Sequence, residues 1–99
     1  MARFDVYRTR DFDDVLLDCQ ADVLDDLPTR FVVPLVPAER ISRIYARLNP
    51  VLSFSDGDYV MATQYAATVP VKDLGKRVAA LSAEQSAIMN ALDMLLTGY

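Results

Sequence analysis

The side chains that most often carry chemistry are sparse in this sequence. Its 99 residues include no histidine and one cysteine, Cys19. A reactive thiol needs a base or a positive neighbour to hold it as thiolate, and no imidazole is available. Cys19 stands in the run Val15-Leu16-Leu17-Asp18-Cys19, so it is expected as a small buried hydrophobe, and it has no partner for an internal disulfide. One cysteine and no histidine also leave no tetrahedral zinc set. No glycine-rich phosphate loop and no nucleophile elbow occurs. Cleavage of RNA needs a positioned base, an acid and a phosphate clamp. Arg30, Arg77 and Asp73 are available for those jobs but form no local signature. A net charge of −4 further disfavours a polyanionic substrate.

The charged residues that could recognise something fall in two groups. Asp11, Asp13, Asp14, Asp18, Asp22, Asp25 and Asp26 make the first quarter acidic. They read either as a solvated rim on hairpin loops or as a landing site for a basic partner segment. Arg40, Arg43 and Arg47 recur opposite Ile41, Ile44, Tyr45 and Leu48. They read as the wet face of an amphipathic helix or as a small basic patch for an acidic peptide.

The elements that must position these groups fit one domain. A hydrophobic content of 53 % is ample for a core. No run approaches the ~18 apolar residues of a membrane span. The start, Met1-Ala2-Arg3-Phe4-Asp5, lacks the apolar stretch of a secretory signal, so the expected location is the cytoplasm. Arg3 to Arg10 alternates as a strand with one apolar face. Turn chemistry at Asp11-Phe12-Asp13-Asp14 leads to a return strand from Val15 to Ala21. Arg30 to Leu35 reads as a short strand that Pro34 sends to an end or an edge. Val51 to Phe54 and Tyr59 to Met61 flank an Asp-Gly turn, a second hairpin. Ala67 to Val71 is another strand, followed by a loop through Leu74-Gly75. In the last element, Ser82 and Gln85 have capping-box spacing. Ile88, Ala91, Leu92 and Leu95 form an apolar stripe, which Ala87, Met94 and Leu96 widen enough for a dimer contact. A helix of about 22 Å results, with Gly98 suited to its C-cap.

Several segments in this order resemble the CcdB toxins. They are Phe4-Asp5-Val6-Tyr7, Asp18 through Asp25, Arg30 through Leu35, Asn49-Pro50-Val51, and Ala67-Thr68-Val69-Pro70-Val71. Leu74-Gly75 with Val78, Leu81-Ser82 and the terminal helix complete the set. The resemblance implies an α+β, mainly β fold: a small antiparallel SH3-like barrel, shared with the MazF and Kid ribonuclease toxins, with a C-terminal α-helix and a homodimer. For residues 37–49 it implies a β-rich wing where periodicity reads helix, and the two stay open.

The resemblance also implies a mechanism without catalysis. CcdB toxins act as dimers, bind the A subunit of DNA gyrase and trap the cleaved-DNA state. Carried over by position, the gyrase-binding residues are Phe4, Tyr7, Val23, Leu24, Asp93, Thr97, Gly98 and Tyr99. Asp93 stands where the family usually has asparagine. Phe4 and Tyr7 have opposite strand parity, so facing one way requires a bend. The family ends in Trp-Gly-Ile, whereas this chain ends in Thr97-Gly98-Tyr99. Losing an aromatic anchor of that kind commonly costs more than ~2 kcal/mol of binding, which leaves a non-toxic binding module as the alternative. The second implied partner is a CcdA-like antitoxin, with Arg40, Arg43 and Arg47 or the acidic hairpin as its landing point. No cofactor, membrane or direct nucleic-acid contact is expected.

Overall fold

The computed structural model describes residues 1–11, 14–55 and 57–98. Among these residues, seven strands and one α-helix carry the fold, joined in places by short 3₁₀ turns: β1 (Asp5–Thr9), β2 (Val15–Asp18), β3 (Thr29–Pro37), β4 (Val51–Phe54), β5 (Gly57–Met61), β6 (Ala67–Pro70), β7 (Leu74–Ala80) and α1 (Gln85–Thr97). All the pairings are antiparallel, in the order β4-β5-β3-β2-β1-β7, and β6 joins the first half of β3. This is the mainly β architecture with a C-terminal helix that the sequence leads one to expect.

Alternation along the strands divides the core in two. Val6 pairs with Leu17, and Leu17 with Val33. All three point to one side, where Ile88, Ala91 and Leu92 of α1 cover them. Tyr7 pairs with Leu16, and the two point to the other side, packing with Val32 and Leu74. The expectation of a single apolar face on β1 is therefore corrected. β1 lies between β2 and β7, and both of its faces are covered. Cys19 lies in the helix-side core, where burial and then the charge of Asp18 push its thiol up to about 12. It should not react with a thiol reagent at pH 8 until the chain is denatured. Full reaction of the native protein would contradict this packing.

Four local readings are revised. β3 runs through Pro34 instead of ending there. On one side Pro34 pairs with Leu16. On the other, the partner changes from β6, at Thr29 to Val32, to β5, at Leu35 to Pro37. A residue without an N–H is tolerated at that change of partner. The expected loop through Leu74-Gly75 is the start of β7, which pairs with β1 through two register shifts. Ser82 forms no side-chain cap. Ser82–Glu84 is a separate 3₁₀ turn, and α1 begins at Gln85. At the other end, the cap at Gly98 is present: its φ is 81° and its N–H donates to the Met94 carbonyl.

The fourth concerns residues 37–49. Ala38–Arg40 make one 3₁₀ turn, Ile41 is extended, and no α-helix or strand occupies 41–49. Asn49 explains the outcome. Its side chain is buried, accepts from Tyr45 N–H, and donates to the Met61 carbonyl and to Gln64. These bonds hold the segment against β5 and compete with helical hydrogen bonding. The β-rich part of the wing is instead the β4–β5 hairpin, with Phe54 and Tyr59 stacked at 4.3 Å. Asp56 of its turn lies outside the described residues, as do Phe12 and Asp13 of the first hairpin.

Candidate functional site

Of the residues carried over as a protein-binding face, two are core. Phe4 is 3 % and Tyr7 6 % exposed. The parity argument holds, since they sit in different halves of the core. A bend lies ahead of the strand, but it does not bring the two rings to one face. Phe4 has φ 71°, and it is held by N–H donation to the Asp18 carbonyl and by acceptance from Leu81 N–H. A left-handed phenylalanine is strained, and the bend turns its ring inward. The Tyr7 hydroxyl donates to Asp5 at 3.4 Å. Burial, then the charges of Asp5 and Asp18, raise its pKa. Both rings are packed in the core, so a partner at this surface meets little of either.

Val23 and Leu24 are placed differently. They lie on a 3₁₀ turn at Asp22–Leu24 and are 85 % and 45 % exposed. Asp22 anchors the turn by accepting from Arg3 N–H at 2.8 Å, and the Gln20 side chain donates to the Leu24 carbonyl. The Arg3 guanidinium in turn lies over the Phe4 ring and reaches the Met89 sulfur on α1. Arg3 therefore links the Val23–Leu24 turn to the helix.

At the helix end, Asp93, Thr97 and Gly98 are all exposed. The Thr97 hydroxyl donates to the Asp93 carbonyl at 2.7 Å, so it is spent on the helix backbone. Tyr99 lies outside the described residues. The side chain that offers apolar surface here is Leu96, at 75 % exposure, with Leu95 half-exposed beside it. From sequence, Leu96 reads only as extra width on the helix stripe. The available signal is a leucine directly before the terminal triplet, on the flank of the core stripe and one turn beyond Leu92.

Arg40, Arg43 and Arg47 do not share a helical face, because there is no helix to align them. Arg43 lies over the Tyr45 ring, and Arg40 lines a groove beside Val36 and Tyr59. The residues available for phosphate chemistry are dispersed as well. Arg30 is fully buried: its Nε and one terminal nitrogen donate to Asp18 at 2.9 and 2.6 Å, and the other donates to Asp25 at 3.0 Å. Burial opposes its charge, but the bonds and charges of Asp18 and Asp25 outweigh this and hold its pKa above the usual value. Arg77 pairs with Asp5 at 3.4 Å. The Asp18–Arg30 pair is not legible in the sequence, where the two residues are separated by a turn and a change of strand. Among the described residues, no group of acidic or cysteine side chains could hold a metal, and no helix is long and apolar enough to cross a membrane.

The family model described as CcdB protein matches residues 3–98. Solved structures share the fold at low identity. An endoribonuclease in complex with its cognate antitoxin, from a mycobacterial species, aligns with a TM-score of 0.78 at 20 % identity, over 97 % of this chain and 94 % of that one. A second mycobacterial endoribonuclease aligns at 0.79 and 21 % identity, over 97 % and 90 %. The Mycobacterium tuberculosis toxin MazF-mt6 aligns at 0.76 and 17 % identity, over 95 % and 96 %.

Proposed function

The chain belongs to the CcdB family, and from that membership we propose that it is the toxin of a toxin–antitoxin pair. In this reading it acts as a homodimer, binds the A subunit of DNA gyrase and traps the cleaved-DNA state. The observation that carries the reading is the family match over residues 3–98. The exposed apolar residues support it. Val23 and Leu24 on one turn, and Leu96 beside Gly98 at the helix end, are exposed and free of core duties. Asp93 places a negative charge beside Leu96, which favours a basic patch on the partner. A CcdA-like antitoxin is the second partner. It gains support from the fold neighbour solved with its own antitoxin.

The fold neighbours also favour a second reading, ribonuclease activity. Against it stands Arg30, which is buried and saturated by two carboxylates, so it cannot clamp a phosphate. The altered terminal triplet favours a third, a binding module that spares gyrase. Induced expression in a host carrying the gyrase of this protein's own source separates the three. The proposal expects growth arrest with DNA breaks, both lost on deleting residues 97–99. Healthy growth with soluble dimeric protein would establish the binding module. Fragmented RNA with intact DNA would establish the ribonuclease.

A further inference from the structure

Two cavities lie side by side along β3 and differ in charge. The first, about 310 Å³, has an apolar floor that includes Leu16, Val32 and Val69, and its wall carries Asp11, Asp14 and Asp73. The backbone gathers these acids at the end of β1: Thr9 N–H donates to the Asp14 carbonyl at 2.8 Å and Arg10 N–H to the Asp73 carbonyl at 3.0 Å. Among the described residues, none of the three carboxylates is in an ion pair. The second cavity, about 660 Å³, shares Asp14, Leu16 and Pro34 with the first and continues past Val36 to Arg40, with Arg8 also in its wall. Leu16 and Pro34 are a cross-strand pair, so they form a ridge between the cavities. Val32, Pro34 and Val36 share one parity on β3. At ~3.3 Å per residue, Val32 and Val36 stand about 13 Å apart.

We propose that this trough seats an extended segment of the antitoxin that carries a lysine or arginine and, four residues away, an aspartate or glutamate. In an extended chain, side chains i, i+2 and i+4 point the same way, so both charges and one apolar residue between them face β3. The cation's stem lies on the floor of the first cavity while its head reaches the carboxylates. The apolar residue crosses the Leu16–Pro34 ridge. The anion meets the Arg40 side. A polyanion such as RNA is repelled by the acidic half. The choice of partner rests on the toxin reading, whereas the charge pattern rests on the cavities alone.

The test uses three capped pentapeptides titrated into the isotope-labelled full chain: Lys-Thr-Leu-Thr-Glu, and counterparts with lysine at both ends or glutamate at both ends. The mixed peptide is expected to bind about threefold tighter than either counterpart, the size of one half-exposed charge pair. Amide shifts are expected at Leu16, Val32, Val36 and Tyr59. Arg40→Glu should move the preference to the double-lysine peptide, and Asp14→Asn with Asp73→Asn should erase the advantage of lysine. Equal binding of the three peptides, or shifts confined to other elements, would overturn the proposal. No growth arrest on induction, with the charge preference intact, would sink the toxin reading and leave the trough standing.

Discussion

Replacing Arg30 with alanine is expected to lower the stability of the fold by about 3–5 kcal/mol, the cost of leaving a buried charge without its partner. Asp18 and Arg30 are both fully buried. Removing the guanidinium strips Asp18 of two donors and leaves it only Gln20 N–H. Domains of this size carry about 5–15 kcal/mol in total. The loss should move the thermal midpoint by on the order of 15 °C or more. Replacing both partners, Asp18→Leu with Arg30→Met, should recover most of the loss, since no charge is then buried. Thermal unfolding of the two variants checks this. A midpoint for Arg30→Ala within a few degrees of the parent would show that the pair does not hold the two strands.

The second large effect is on binding rather than folding. Leu96→Glu should leave the thermal midpoint unchanged, because Leu96 is largely exposed. It should weaken gyrase engagement by at least about thirtyfold, the equivalent of a hot-spot residue worth ~2 kcal/mol. Val23→Glu should act in the same direction, as Val23 is the most exposed large apolar side chain on the turn that Arg3 ties to the helix. Concentration dependence of cleavage-complex formation measures both. Unchanged potency in Leu96→Glu would move the contact away from the helix end. The same comparison separates this surface from Phe4 and Tyr7, whose replacement acts through core packing.

The legible parts of this fold are those with local causes. β1, β2, the β4–β5 hairpin and α1 each carry their own periodicity, and Gly98 stops the helix where a left-handed residue is cheap. The failures share a non-local cause. β7 exposes Lys76 and Arg77 and leans on bulged pairing with a strand about seventy residues away, so its sequence shows little alternation. Residues 41–48 have helical spacing, but the Asn49 side chain accepts from Tyr45 N–H and ties the end of the segment to the Met61 carbonyl of β5. Tyr7 is expected outside if only one face of β1 is covered. It is buried because Leu74 and Val32 arrive on the other face. The proposed recognition surface is legible at Val23 and Leu24, where a turn must expose its residues. It is hidden at Leu96, which reads as part of an apolar stripe until the core stripe of Ile88, Ala91 and Leu92 is seen.

The most direct test of the toxin reading uses purified components. The protein is incubated with gyrase from its own source, ATP and supercoiled plasmid, then with detergent and protease. A parallel sample replaces DNA with total RNA. The reading predicts protein-dependent linear DNA, absent without gyrase and lost in the chain lacking residues 97–99, with the RNA intact. Intact plasmid at saturating protein, or cleaved RNA without gyrase, would contradict it.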